Sequence, residues 1–154
     1  MIKRILLVDD NPDILSLLTR YLAHLRPDCQ LEVCHSGVEV LSLDQIRPFD
    51  LVISDYIMNH LDGLQLARTL KERQPDVKFI LMSGNDRVTM AQKAIEAGLS
   101  GFISKPFTLK TVEEAVEAAR RLGRLPDGLT LKAVRLPDGR WATLLRDPLI
   151  SFRR

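Results

Sequence analysis

The chain has 154 residues, of which 45% are hydrophobic and 27% charged, so it can bury the core of one domain and is not wholly disordered. Its apolar runs fall short of the ~18 residues that a membrane-spanning helix requires, and the acids at positions 9 and 10 argue against a signal peptide. Two cysteines, Cys29 and Cys34, are too few for a disulfide framework and are expected to be thiols in the cytoplasm.

The formal net charge of +2 is unevenly distributed along the chain. Residues 1–123 hold 15 basic and 17 acidic side chains, a balance of −2, whereas residues 124–154 hold seven basic and three acidic ones, a balance of +4. The basic character therefore belongs to the C-terminal segment and does not indicate that the whole chain binds nucleic acid.

The beginning of the chain alternates between strand and helix patterns. Residues 5–8 are a short apolar run that ends in acids, which is typical of a buried strand. Asn11 and Pro12 then offer an N-cap and a first-turn proline to an amphipathic helix. Residues 31–35 predict a less buried strand, and Ser36 can cap a second helix.

The same alternation continues to the end of the last helix. Further strands are predicted at residues 51–53, 77–82 and 102–103. One intervening helix ends before Pro75, the next covers residues 86–97 and stops at Gly98, and Thr108 caps a last helix to about Leu122. Five strands alternating with five helices predict an α/β fold, a doubly wound five-stranded parallel sheet with helices on both faces.

The C-terminal segment departs from this pattern. The sequence Arg-Leu-Pro-Asp-Gly at 124–128 recurs at 135–139, and Pro-Asp-Gly is typical of turns. Stretches of strand character at 129–136 and 140–146 predict a β-hairpin. Because an isolated hairpin is only marginally stable in water, we expect it to pack on the domain or on another chain.

Polar side chains follow four of the five predicted strands. They are Asp9 and Asp10, Asp55, Ser83 and Lys105. Each alone is most simply a turn or surface residue, but the carboxyl ends of parallel strands open on one edge of a sheet, where these groups would converge. Three carboxylates that meet need a raised pKa or a cation, and hard oxygen ligands favour Mg²⁺. The coincidence predicts a magnesium–phosphate site.

With these residues the chain resembles the receiver domains of two-component response regulators, particularly single-domain regulators of the chemotaxis type. The matching motifs are residues 7–11 (Leu-Val-Asp-Asp-Asn), Asp55 with Met58, Asp62-Gly63, Ser83-Gly84 and residues 101–107 (Gly-Phe-Ile-Ser-Lys-Pro-Phe). The resemblance covers a domain at residues 1–122 and implies a flavodoxin-like sheet with strand order 2-1-3-4-5. Residues 123–154 form a C-terminal extension outside it.

The resemblance implies a role for each of the acids. Asp55 would be the phosphoacceptor, because a carboxylate can accept a phosphoryl group covalently. Asp10 and Asp55 would hold Mg²⁺ together with the backbone carbonyl of Ile57. Asp9 would act on the ion indirectly, through water or by orientation.

The remaining matched residues are implied to stabilise the phosphoryl group and to transmit its presence. Lys105 and Ser83 would neutralise and hydrogen-bond its oxygens. Ser83 and Phe102 would form the switch, in which the hydroxyl moves toward the phosphoryl group and the ring fills the vacated space. Family members often have a cis Lys-Pro bond; Lys105–Pro106 fits that pattern, and equally fits a proline that merely precedes a helix.

The resemblance also implies partners. It indicates a regulatory domain, not an enzyme, that receives its phosphoryl group from a histidine kinase or a histidine phosphotransfer protein in the cytoplasm. About 30 residues follow Leu122, too few for a helix-turn-helix domain, so we expect output through a protein target, without direct DNA binding or membrane contact. The hairpin would dock on its own domain, pair two subunits as a homodimer, or capture a partner.

Three other functions compete with this interpretation. A pseudo-receiver, a protein-interaction module that never turns over phosphate, is disfavoured by the intact acids and Lys105. An aspartyl-phosphate phosphatase is disfavoured because residues 9–13 do not match its nucleophile and acid pattern. A flavodoxin is disfavoured because no hydroxyl-rich phosphate loop follows the first predicted strand.

Overall fold

The computed structural model describes residues 1–44, 47–84, 87–123, 130–135 and 141–146. The strands of its larger sheet are β1 (Arg4–Val8), β2 (Gln30–Cys34), β3 (Leu51–Asp55), β4 (Lys78–Ser83) and β5 (Gly101–Ser104). The helices between and after them are α1 (Pro12–Leu25), α2 (Gly37–Asp44), α3 (Gly63–Arg73), α4 (Arg87–Glu96) and α5 (Leu109–Leu122). The predicted alternation of five strands with five helices is confirmed.

The five strands form one parallel sheet in the order β2-β1-β3-β4-β5, as the resemblance implies. Three strands extend further at their carboxyl ends than the sequence predicts, because their ladders continue through polar residues. Asp55 is the last residue of β3 and pairs with Met82, and Ser83 is the last residue of β4 and pairs with Ser104. The carboxyl ends of the three central strands and of β5 therefore lie side by side at one edge.

Alternate strand residues face two separate layers of helices, which explains why the strands are almost continuously apolar. One face, with Leu6, Val52 and Leu81, packs on residues of α2, α3 and α4. The opposite face, with Ile53 and Ile80, packs on residues of α1 and α5. The prediction of helices on both faces is confirmed.

Side-chain caps fix the helix starts near the carboxyl edge. The Asn11 side chain accepts the backbone N–H of Asp13 at the start of α1. Asp62 and Thr108 form capping boxes at the starts of α3 and α5. A Cβ atom at Gly63 would lie 2.4 Å from the Asp55 carbonyl oxygen, so glycine allows α3 to begin directly against the end of β3.

Some boundaries differ slightly from those predicted. The second strand covers Gln30–Cys34 and the fourth helix Arg87–Glu96, while Asp86, where that helix was expected to begin, lies outside the described residues. Gly98, the predicted stop, adopts a positive φ of 70° just beyond the helix, a conformation that glycine tolerates.

Two further strands, β6 (Thr130–Arg135) and β7 (Trp141–Arg146), pair antiparallel as a separate two-stranded sheet. Both Pro-Asp-Gly segments, at 126–128 and 137–139, lie outside the described residues. Among the helices that the structure describes, none is both long enough and apolar enough to cross a membrane.

Candidate functional site

Three acids meet at the carboxyl edge of the sheet. Asp9 directly follows β1 and is fully buried, Asp55 ends β3 and is 8% exposed, and Asp10 faces solvent. One carboxylate oxygen from each lies within 4.8 Å of the others. The acidic cluster expected from the strand ends is present, and its exposed member gives water access to it.

Lys105 reaches this cluster from the end of β5, which is separated from β3 by β4. Its Nζ lies 2.8 Å from Oδ2 of Asp9 and 3.1 Å from Oδ1 of Asp55. The ammonium thus joins two carboxylates that belong to different strands. The peptide bond between Lys105 and Pro106, which the sequence left undecided, is cis.

Backbone hydrogen bonds hold the two buried acids in place. The N–H of Asp9 donates to the carbonyl of Cys34, and its Oδ1 accepts the N–H of Asn11 at 2.9 Å. The N–H of Tyr56 donates to the carbonyl of Met82 and lies 3.0 Å from Oδ1 of Asp55. Both carboxylates are therefore oriented by the chain itself.

The electrostatics of the cluster are those of a crowded acidic site. Burial and the nearby charge of Asp9 raise the pKa of Asp55 above its ordinary value, and they outweigh the opposing attraction of Lys105. Burial lowers the pKa of Lys105, but the hydrogen bond to Asp9 and the charge of Asp55 more than compensate and raise it. The surroundings thus favour the charged form of Lys105 and disfavour the charged form of Asp55.

The other residues singled out from the sequence surround this cluster. Ser83 is 2% exposed at the end of β4, where its carbonyl accepts the N–H of Lys105 at 2.8 Å. Phe102 is half-buried on β5 and packs against the core cluster that contains α4 residues. The Ile57 side chain is 59% exposed, so this residue faces solvent just beyond the end of β3.

One pair of residues near the site was missed by the sequence reasoning. The half-buried ring of Tyr56, the residue after Asp55, is contacted by Lys93 of α4. Because the two residues lie 37 positions apart, on a loop and on a helix, no motif or spacing connects them.

Comparisons with known proteins agree with the geometry. The family model described as the response regulator receiver domain matches residues 5–117 of this chain. Response regulator MprA of Mycobacterium bovis is 29% identical over 135 residues, which cover 88% of this chain and 58% of that protein. The chain therefore spans little more than half the length of the curated relatives it matches.

Solved structures show the same fold. The signal receiver domain of an HD domain-containing protein from Pseudomonas fluorescens is 29% identical, with a TM-score of 0.70 over 79% of this chain and 96% of that one. The chemotaxis protein CheY4 of Vibrio cholerae, at 21% identity, superposes with a TM-score of 0.68 over 76% of this chain and 98% of that one.

Except for Arg4, the first residue of β1, the family match includes the five strands of the parallel sheet and the acidic cluster at its carboxyl edge. Receiver domains are regulatory and not catalytic, and they imply a cognate histidine kinase. An acidic triad such as Asp9, Asp10 and Asp55 is typical of their Mg²⁺ site. This chain belongs to the response regulator receiver domain family.

Proposed function

We propose that this protein is a phosphoacceptor that takes a phosphoryl group onto Asp55 and uses it to switch a protein-interaction surface. One observation carries the proposal: Lys105 Nζ lies within 3.1 Å of the carboxylates of both Asp9 and Asp55, in a cluster that also includes Asp10. Such a group can align a phosphoryl donor and neutralise its charge, which is most of what phosphoryl transfer requires.

The residues present fit a magnesium ion. Carboxylate oxygens are the hard ligands that Mg²⁺ prefers, and the exposure of Asp10 leaves room for the water ligands that this ion usually keeps. Asp10, Asp55 and the carbonyl of Ile57 would hold it, with Asp9 acting indirectly. When bound, the ion supplies positive charge opposite the phosphoryl oxygens.

The two oxygens of Asp55 have different surroundings. Oδ1 lies within hydrogen-bonding distance of the Tyr56 N–H and of the Lys105 ammonium, so we assign the attack to the other oxygen, Oδ2. Its lone pair forms the new O–P bond while the N–P bond of the donor phosphohistidine breaks and the imidazole keeps that electron pair. Lys105 remains charged throughout and stabilises the anionic oxygens.

The switch would begin at Ser83 and Phe102. A phosphoryl dianion on Asp55 attracts the Ser83 hydroxyl from the end of the adjacent strand. The next element of the chain after Ser83 is α4, and Phe102 packs against the hydrophobic cluster that contains residues of α4. Movement at Ser83 would therefore change the surface formed by α4 and β5, which is the output surface in this proposal.

The partners and the C-terminal region complete the proposal. The donor would be the cognate histidine kinase or a histidine phosphotransfer protein in the cytoplasm, and output would pass through a protein target. Residues 1–122 would form the receiver and residues 123–154 an extension in which β6 and β7 make one hairpin, supported by their antiparallel pairing. That hairpin would pack on its own domain, join two subunits or capture a partner.

The proposal is tested by incubating the full chain with Mg²⁺ and acetyl phosphate and measuring its intact mass. We expect the mass of one phosphoryl group to be added to the parent protein, and none to Asp55→Asn. Asp28→Asn, which makes the same change at an exposed acid outside the cluster, serves as the control and should be modified like the parent. A parent protein without an adduct would be a pseudo-receiver, and the proposal would be wrong.

A further inference from the structure

A side-chain contact joins α4 to the loop that follows the phosphoacceptor strand. The Nζ atom of Lys93 lies 5.4 Å from the centre of the Tyr56 ring and 3.4 Å from its hydroxyl oxygen, to which it donates a hydrogen bond. Both distances fall in the range of a cation–π contact supplemented by a weak hydrogen bond.

Tyr56 is held rigidly relative to Asp55. Its N–H donates to the Met82 carbonyl at 2.8 Å, and its carbonyl accepts the N–H of Gly63 at 2.8 Å. Its N–H also lies 3.0 Å from a carboxylate oxygen of Asp55. Because Gly63 packs against the backbone of Asp55 and Tyr56 with no space for a Cβ atom, this loop has little freedom to adjust. The backbone of Tyr56 is therefore tied closely to that of Asp55.

Lys93 is attached to α4 through a well-packed helical turn. Met90 and Ala94, which flank it on the helix, are buried in the core, and Lys93 itself is half-buried. Glu96, one turn further along, accepts a hydrogen bond from Gln92. Within the part of the chain that the structure describes, the Lys93 ammonium has the Tyr56 hydroxyl as its side-chain hydrogen-bond partner. The Lys93 ammonium is therefore held between α4 and the hydroxyl of Tyr56.

We propose that Lys93 is a positioning residue that couples α4 to the phosphoacceptor through Tyr56. This inference rests on the proposed function, since it adds a second connection between Asp55 and α4 beside the one through Ser83. If α4 moves when Asp55 carries a phosphoryl group, the contact differs in strength between the two states. By linkage, its loss must then change the affinity of Asp55 for a phosphoryl group or for a mimic of one.

The test measures the affinity of the full chain for beryllofluoride with Mg²⁺, a phosphoryl mimic, by isothermal titration calorimetry. Lys93→Met removes the cation, and Tyr56→Phe removes the hydroxyl while leaving every charge in place. We expect Lys93→Met to change the affinity by about threefold, which is the size of effect such a contact supports, and Tyr56→Phe to change it in the same direction but by less, because the phenylalanine ring still faces the cation. The double variant should match Lys93→Met, because the cation that both parts of the contact require is already absent there.

Two controls separate coupling from general effects. Lys110→Met removes an exposed lysine on α5 and should bind like the parent. Lys93→Arg keeps a cation over the ring and should restore parental affinity. Tyr56→Phe keeps the ring that packs in the core, so it tests the contact even if Lys93→Met is poorly folded.

Other outcomes would overturn the inference. Affinities of Lys93→Met and Tyr56→Phe equal to that of Lys110→Met, or effects that simply add in the double variant, show that the contact does not couple the two elements. A parent protein that binds no beryllofluoride contradicts the proposed function itself, whereas parental binding with unchanged variants contradicts the role of Lys93 alone.

Discussion

The amino edge and the carboxyl edge of the parallel sheet each hold a group of interacting charged side chains. At the amino edge, Arg4 donates to the Glu32 carboxylate and the Pro48 carbonyl and lies 4.4 Å above the Phe49 ring. Asp50 accepts two backbone N–H groups at the start of β1. The charges of Arg4 and Glu32 are paired here, and the Asp50 carboxylate is held by backbone N–H groups of the same chain.

The carboxyl edge, in contrast, carries an excess of negative charge. Asp9, Asp10 and Asp55 supply three negative charges and Lys105 one positive charge, which leaves a formal excess of two negative charges. Such an excess lowers the stability of the isolated fold and is balanced when a divalent cation binds. The amino edge therefore contributes to stability, whereas the carboxyl edge retains an excess of negative charge that can bind a cation for function.

The largest expected effect distinguishes the two edges by activity. Lys105→Met removes the cation beside Asp55 and should slow phosphoryl uptake about 100-fold, as loss of one preorganised stabilising group does in enzymes. The initial rate of mass gain with acetyl phosphate and Mg²⁺ measures this. Arg4→Met, which removes the cation at the amino edge, should leave the rate near that of the parent. Equal slowing in both variants would show that the two edges do not differ in their effect on phosphoryl uptake.

The amino edge should be more important for stability. Arg4→Met removes hydrogen bonds to Glu32 and Pro48 together with the cation–π contact to Phe49, and should lower the free energy of unfolding by about 1–3 kcal/mol. Urea denaturation at neutral pH measures the change. Lys110→Met, at an exposed position, should stay within about 0.5 kcal/mol of the parent. A fully stable Arg4→Met protein would show that this edge contributes nothing.

Magnesium should stabilise the protein through the carboxyl edge alone. At a concentration ten times its dissociation constant, Mg²⁺ should raise the free energy of unfolding by about 1.4 kcal/mol relative to protein in EDTA. Asp10→Asn should lose most of this gain, because it removes one of the three clustered carboxylates. Glu32→Gln, at the amino edge, should retain it. Retention of the full gain by Asp10→Asn would place the ion elsewhere.

The smallest effect concerns pH. Burial and the charge of Asp9 raise the pKa of Asp55, so the folded chain binds this proton more tightly than the unfolded chain. The stability from Asp55 is therefore full below the ordinary carboxyl pKa of about 3.9 and is lost as the pH rises through the higher folded pKa.

Asp55→Asn removes this dependence. In EDTA, the variant should become more stable relative to the parent as the pH rises from acidic values toward neutrality. Urea denaturation at a series of pH values measures the difference. A difference that does not vary with pH would contradict the electrostatic description of the site.

The sequence predicts the edge at which the site lies because polar residues interrupt apolar strands abruptly. Val8 is followed by Asp9, and Ser104 by Lys105, so parallel strands bring both polar residues to one place. That pattern does not predict which atoms are in contact there. That Lys105 contacts Asp9 and Asp55 together depends on the twist of the sheet and on side-chain rotamers, which only the structure supplies.

Contacts between distant elements could not be predicted from the sequence, for a related reason. Periodicity tells which face of a helix or strand is buried, but not which side chain of a neighbouring element it meets. The contact between Tyr56 and Lys93 is one example. Another is Ser100, whose buried hydroxyl bridges the N–H of Phe79 and the carbonyl of Gly123 at the end of α5.

Identification of the modified residue tests the central claim most directly. Protein treated with acetyl phosphate and Mg²⁺ is reduced with borohydride, which converts an acyl phosphate into a stable alcohol, and its peptides are then sequenced by mass spectrometry. The account predicts reduction at Asp55 alone, and none when EDTA replaces Mg²⁺. Reduction at Asp9 or Asp10 in place of Asp55, or an unmodified peptide at all three acids, would contradict it.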